Sequence, residues 1–270
     1  MTKESSTMPF THIRKSATLQ SRSSKMNTTR NHSLTETELK QYKDEGYVVL
    51  GRIMDDATLE AIRAEELRFR GPDSVGTIFR NQVTHYSAAI RQYVTAGAHI
   101  KLAQQLVGTP NLAFWFNQFV TKLPDAGSGK SEFPWHQDNG YVSIEPATNV
   151  TIWVALDDVD ERNGCVWVVP GSHAKGLLDH RAKSAETWHL TLDFEGEGVP
   201  AILKAGEAVA FTGLTLHRSK LNHTDKARRA FFMEYADVAS TYQRAGQDRQ
   251  SILKESNTWV VTGQAEWPGV

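Results

Sequence analysis

Apolar residues follow two regimes along this chain. Between residues 34 and 107 they recur at helical spacing. From 112 onward they gather into short β-branched and aromatic runs separated by Gly, Pro, Asn and Asp. In the first regime Thr35 and Glu38 stand at capping-box spacing and open a helix that ends near Gly46. Tyr47-Val48-Val49-Leu50 then reads as a strand, and Asp55 caps an amphipathic helix to about Arg70. A further helical region over 87–107 is closed by Gly108 and Pro110. In the second regime the pattern predicts strands over 112–123, 150–156, 166–169, 208–212 and 229–236. Helices first and strands after predict an α+β, mainly β chain whose helices brace one face of a β-sandwich or jelly roll.

The first 33 residues fit neither regime. They are rich in Ser and Thr, with six Lys or Arg (Lys3, Arg14, Lys15, Arg22, Lys25, Arg30) and one acid, Glu4. Such a segment lacks the apolar surface to offset its ordering entropy and reads as a disordered tail. A basic, acid-poor transit peptide is the alternative, as is a translation start at Met26. Residues 34–270 are then expected to form a single domain, since 40% hydrophobic and 23% charged residues can build one sizeable core. A net charge of -1 provides no general field to attract nucleic acid or an anionic membrane, which leaves a small molecule as the expected partner. The single cysteine, Cys165, excludes an intramolecular disulfide, and no apolar stretch is long enough to span a bilayer. A cytoplasmic location is expected, and nothing in the pattern bears on oligomeric state.

The chemistry is concentrated in Trp135-His136-Gln137-Asp138 and, 81 positions later (217 minus 136), in Leu216-His217-Arg218-Ser219. A histidine and an aspartate two apart in extended backbone project from the same face and can hold one metal between them. A second histidine from a neighbouring strand completes two imidazoles and one carboxylate, the facial triad that leaves open positions on non-haem Fe(II). His-X-Asp alone arises often by chance. Arg228, eleven residues beyond His217 (228 minus 217), adds the fixed fork of donors that a dicarboxylate co-substrate needs at its far end. Arg228 and Arg229 must point to opposite faces of one strand, and alternation does not say which points inward. His173, after the turn Pro170-Gly171-Ser172, is the competitor for third ligand. His85 is a weaker candidate for the pocket, and His99, His180, His189 and His223 are expected to be solvated or locally hydrogen-bonded.

Several of these segments occur in an ordered series: 122–138, Thr151-Ile-Trp-Val-Ala-Leu-Asp-Asp158, Val169-Pro-Gly-Ser-His173, Gly206-Glu-Ala-Val-Ala-Phe211 and His217-Arg-Ser219. Over about residues 35–238 the chain resembles the phytanoyl-CoA dioxygenase family, Fe(II)- and 2-oxoglutarate-dependent oxygenases on a double-stranded β-helix. The resemblance implies that His136, Asp138 and His217 bind iron, that Arg228 rather than Arg229 binds the distal carboxylate of 2-oxoglutarate, and that Gln118, Trp153 and Ser219 contact that co-substrate. It implies consumption of O2 and 2-oxoglutarate, with succinate and CO2 released as a C–H bond is hydroxylated; desaturation and cyclisation are alternative outcomes. His136 and Asp138 are expected at the start of a strand after the Gly127-Ser128-Gly129 loop, and His217 near the end of one. The long polar segments 71–86 and 172–200 are candidate lids. Trp115, Phe116, Tyr141 and Trp167 are expected in the core, with one or two lining the substrate chamber. Asp138 argues against a halogenase, and a zinc hydrolase would have no use for Arg228. A non-catalytic jelly-roll binding protein would have lost ligands that this chain keeps. No basic cluster suits a CoA diphosphate, so a small free metabolite is the expected substrate.

Overall fold

A computed structural model of the chain describes residues 19–20, 33–71, 76–125, 129, 131–185 and 187–263. Its helices begin and end where their capping residues dictate. Thr35 accepts a hydrogen bond from the Glu38 N–H, the Glu38 carboxylate accepts one from the Thr35 N–H, and α1 (Glu36–Glu45) ends at Gly46 in the left-handed conformation, φ 79°. Strand β1 (Tyr47–Arg52) follows, and the Asp55 side chain caps α2 (Asp56–Arg70). Segment 71–86, expected as a lid, carries a strand instead, β2 (Thr77–Asn81), because its backbone pairs with the next strand of the sheet. The helical region over 87–107 is two helices, α3 (Ala88–Ala96) and α4 (Ile100–Val107), separated at Gly97.

The remaining principal strands are β3 (Leu112–Lys122), β4 (Phe133–His136), β5 (Val150–Ala155), β6 (Val166–Val168), β7 (Val199–Ile202), β8 (Glu207–Thr212), β9 (His217–Ser219) and β10 (Arg228–Asp237). The larger sheet runs β3-β10-β5-β8-β1, with β2 and the short strand Trp259–Val260 both paired to the outer edge of β3. The smaller sheet runs β7-β6-β9-β4. All these pairings are antiparallel. The strands predicted over 112–123, 150–156, 166–169 and 208–212 are present within a residue or two, and the one predicted over 229–236 begins at Arg228. Strand β7 was not legible, and the strands expected around His136 and His217 are β4 and β9 with other bounds, because runs of three or four residues containing Pro134, Pro200 or the polar His217-Arg218-Ser219 are extended by their partners rather than by local preference.

Side-chain alternation gives the larger sheet two faces. On the outer face Ile152, Val154, Phe231, Met233 and Tyr235 pack against Leu59, Ile62, Ile90, Leu102 and Leu106 of the helices. On the inner face Trp153, Ala155, Phe211 and Ala230 share a core with Val166, Val168 and Leu216 of the smaller sheet. The result is the α+β, mainly β double-stranded β-helix that the pattern and the resemblance together imply, with helices on one side only. His99, expected to be solvated, is fully buried where α3 meets α4: its Nε2 lies 2.7 Å from the Tyr235 hydroxyl, and burial pushes its pKa down to about 3. The expectation of a disordered tail over 1–33 falls outside the described residues except at Ser33 and at Leu19–Gln20, which lies parallel to Ala201–Ile202.

Candidate metal centre and substrate cavity

His136 ends β4, Asp138 opens the single-turn helix that follows, and His217 begins β9, directly opposite His136 in the pairing. This corrects the expected placement, which had the first pair starting a strand and His217 ending one. The reasoning about spacing survives locally, because Gln137 between the two ligands is extended (φ -115°, ψ 143°) and turns both side chains to one side. His136 Nε2 and His217 Nε2 lie 3.8 and 3.5 Å from Asp138 Oδ1, and the three ligand atoms all fall within 4.8 Å of one another. Among the described residues these are the only three His, Cys, Asp or Glu side chains so clustered.

Each ligand is oriented by a second partner. His136 Nδ1 lies 2.7 Å from the Pro134 carbonyl and His217 Nδ1 2.9 Å from that of Thr215, so each Nδ1–H donates to a carbonyl and each Nε2 keeps its lone pair for a metal. Thr151 donates to Asp138 Oδ2 at 2.6 Å and leaves Oδ1 free. Burial, and then the neighbouring His217, hold the His136 imidazole well below its ordinary pKa, so it is neutral and able to ligate. The approach of the three groups is therefore that of ligands around a shared point rather than of ion pairs.

Gln137 fixes the turn between the first two ligands. Its Nε2 donates to the carbonyls of Gly176 at 2.9 Å and Leu214 at 2.6 Å, its Oε1 accepts from the Leu178 N–H, and its own N–H donates to His180 Nε2 at 2.9 Å. His180, expected to be solvated or locally hydrogen-bonded, makes a local hydrogen bond to the Leu178 carbonyl at 2.7 Å and is also a partner of the His136–Asp138 segment. Gly213 passes so close behind that a Cβ there would lie 2.3 Å from Asn139 Oδ1.

The three ligands line a cavity of about 450 Å³, together with Gln118, Trp153 and Ser219. Arg228 is not among the lining residues: its guanidinium lies one layer back, 5.4 Å from the centroid of the Trp153 ring. That guanidinium is buried, and none of its three nitrogens has a hydrogen-bond partner among the described residues. Burial lowers its pKa to about 10, which leaves it charged at neutral pH. Arg229 points the other way and holds Asp157 bidentately, Nε to Oδ2 at 2.9 Å and Nη2 to Oδ1 at 2.6 Å. Lys122, opposite Arg228 in the strand pairing, is also fully buried, and its ammonium donates to the carbonyls of Ser131, Ser219 and Lys220. It ties the loop before β4 to the end of β9.

His173, the competitor for third ligand, is tied to the Lys43 carbonyl at 3.1 Å and lies outside the cluster, and His85 is exposed. Segment 172–200 does border the cavity, through Trp188, which is 55% exposed and contacts Phe79 and Tyr141. Within segment 71–86, Phe79 and Asn81 of β2 line the cavity, and residues 72–75 lie outside the described residues.

Glu234 escaped the sequence reading. It lies in β10 on the face shared by Arg228 and Phe232, lines the cavity, and accepts a hydrogen bond from Trp115 Nε1 at 2.7 Å. Its carboxyl is pushed up to about 8 by burial first and by Asp138 second. Its parity with Arg228 was a usable signal. Trp115 was not readable in this role: the pairing passes from Glu234–Phe116 to Tyr235–Phe114, so Trp115 is the extra residue of a β-bulge. The bulge lets Trp115 and Phe116, adjacent in sequence, both face the cavity.

Residues 42–230 match the model of the phytanoyl-CoA dioxygenase (PhyH) family, and the chain belongs to that family. The chain is 25% identical over 258 residues to the peroxisomal phytanoyl-CoA dioxygenase of Bos taurus, covering 84% of this chain and 76% of that one. Among solved structures it resembles SnoK, a non-haem alpha-ketoglutarate-dependent carbocyclase of nogalamycin biosynthesis, at 25% identity and a TM-score of 0.64, over 80% of this chain and 88% of that one. It shares the fold of the epimerase SnoN, solved with Fe3+, alpha-ketoglutarate and nogalamycin RO, at 23% identity and a TM-score of 0.65, over 78% and 87% of the two chains.

Proposed function

We propose that this chain, as a member of the phytanoyl-CoA dioxygenase family, is an Fe(II)- and 2-oxoglutarate-dependent dioxygenase that hydroxylates an unactivated C–H bond of a small-molecule metabolite. The observation that carries the reading is the buried guanidinium of Arg228, without a hydrogen-bond partner among the described residues, behind the Trp153 wall of the cavity that the three-residue cluster lines. A buried cation with no acceptor costs several kcal/mol, and a site that keeps one is built for an anion that arrives with a ligand. The donor set fits iron: two imidazoles, each with Nε2 open, and one carboxyl group with a free oxygen, all facing a cavity.

In this reading His136, Asp138 and His217 hold the metal. Arg228 takes the distal carboxylate of 2-oxoglutarate beside the Trp153 ring, and Gln118 and Ser219 bound the same pocket. Bound iron with 2-oxoglutarate and O2 supplies the oxidising power to hydroxylate a C–H bond, with succinate and CO2 as co-products. The chain's own part is orientation and exclusion of water. The Pro134 and Thr215 carbonyls fix the imidazole tautomers, Thr151 holds Asp138, and the aromatic wall keeps the chamber dry. The reading takes 34–270 as one domain acting in the cytoplasm. No described helix is long and apolar enough to cross a membrane.

The test is an anaerobic titration of the purified chain with Fe(II) and then 2-oxoglutarate, following the visible charge-transfer band of an iron-bound 2-oxo acid. The expected band is present in the wild type and absent from His136→Ala and His217→Ala, whose circular dichroism stays native. Tight zinc binding with no 2-oxoglutarate binding would instead indicate a hydrolase.

A further inference from the structure

Three of the polar side chains around the cavity are committed to neighbours. Gln118 bonds Asn81, Thr151 serves Asp138, and Arg244 is paired with Glu255 at 2.8 Å. Glu234 is different. Its Oε2 accepts from the Trp115 indole, whereas its Oε1 has no partner among the described residues. It is 6% exposed and lines the cavity, so the open oxygen is available to what the cavity holds and to little else.

Two features mark this as a built arrangement rather than a stray acid. The bulge in β3 is what turns Trp115 into the cavity, and Trp115 then fixes the Glu234 carboxyl. The surrounding wall is hydrocarbon: Trp115, Phe116 and Phe232 line the same chamber, with the last two rings 5.8 Å apart. A buried carboxyl in such a wall loses its hydration without recovering the full set of hydrogen bonds, a cost that a ligand donor offsets. The strand pairing also sets Glu234 opposite Thr151, whose hydroxyl holds the metal ligand Asp138. A group bound at Glu234 is therefore one strand away from the metal centre.

We infer that Glu234 is the polar anchor of the substrate chamber: its open oxygen forms a hydrogen bond with a hydroxyl or amino group on a compact, mainly hydrocarbon ring substrate, and so sets which C–H bond faces the metal. Only the last clause rests on the oxygenase reading above. An acyl chain without a donor at that depth would leave Glu234 unmatched and would bind poorly.

The experiment uses three ring probes, indane, indanol and aminoindane, titrated into the full chain by saturation-transfer NMR. The wild type binds indanol and aminoindane roughly tenfold more tightly than indane. Glu234→Leu binds all three alike, with indane at wild-type strength. Glu234→Gln keeps the preference for indanol and loses that for aminoindane, because an amide forms hydrogen bonds but cannot give up a proton to become the carboxylate that pairs with an ammonium. A wild type without preference, or a preference that survives in Glu234→Leu, overturns the assignment. If Glu234→Leu does not fold, an aminoindane preference that persists in Glu234→Gln overturns it equally. Anaerobic 2-oxoglutarate absorption in the same samples separates the two readings. Ring preference without 2-oxoglutarate binding leaves the anchor and removes the oxygenase; 2-oxoglutarate binding without ring preference does the reverse.

Discussion

The two faces of β10 perform different tasks with the same backbone. On the outer face Phe231, Met233 and Tyr235 enter the helix-braced core, and the polar groups that β10 itself carries there are partnered: Arg229 holds Asp157, and the Tyr235 hydroxyl meets the Val94 carbonyl and His99. On the inner face, among the described residues, Arg228 has no hydrogen bond and Glu234 has one open oxygen. Matched buried polar groups hold a fold together, whereas open ones are tolerated where a ligand supplies the missing half. Function in this molecule is therefore written in what is left unsatisfied, one residue out of step with what stabilises it.

The contrast is sharpest where truncation should cost stability and nothing else. Phe231→Ala empties a site buried against Phe119 and is expected to destabilise the fold by about 3–5 kcal/mol. Urea unfolding followed by circular dichroism checks this, and the fraction still folded should bind iron and 2-oxoglutarate as the wild type does. A loss below about 1 kcal/mol would show that the outer face is not the stabilising one.

The next effect is smaller and depends on pH. His99 is buried neutral, with its pKa lowered to about 3 from an ordinary 6.5. Its contribution is present in full above about pH 6.5 and is lost as pH falls toward 3, since the unfolded state takes up the proton that the folded state refuses. Between pH 6.5 and 5 that amounts to about 2 kcal/mol. Urea midpoints at pH 7 and pH 5 should fall more steeply for the wild type than for His99→Gln. Equal slopes would mean that His99 is not held neutral.

Much of this organisation was legible in the sequence because it is local. Thr35, Glu38, Gly46 and Asp55 act on neighbours within four residues, and His136 and Asp138 share a face through one extended residue. What was not legible depends on partners far along the chain. Gln137 reaches Leu214 across 77 residues, Lys122 reaches Ser219 across 97, and Trp115 reaches Glu234 across 119. The bulge at Trp115 breaks the alternation on which a reading of strand faces depends. The same limit applies to the bounds of β4 and β9, which are set by pairing: β9 lies between β4 and β6 and pairs with both.

The division of labour along β10 is tested most directly by comparing its two adjacent arginines. 2-Oxoglutarate is titrated by calorimetry into the iron-loaded protein without oxygen, for the wild type, Arg228→Ala, Arg228→Lys and Arg229→Ala. Removing the Arg228 guanidinium should cost about 2–5 kcal/mol of 2-oxoglutarate binding, at least a tenfold loss of affinity, with Fe(II) binding little changed. Arg228→Lys should recover only part, because an ammonium keeps the charge and lacks the planar fork. Arg229→Ala should leave 2-oxoglutarate affinity at the wild-type value. Loss of affinity in Arg229→Ala, or its retention in Arg228→Ala, would contradict the assignment of the inner face to the co-substrate.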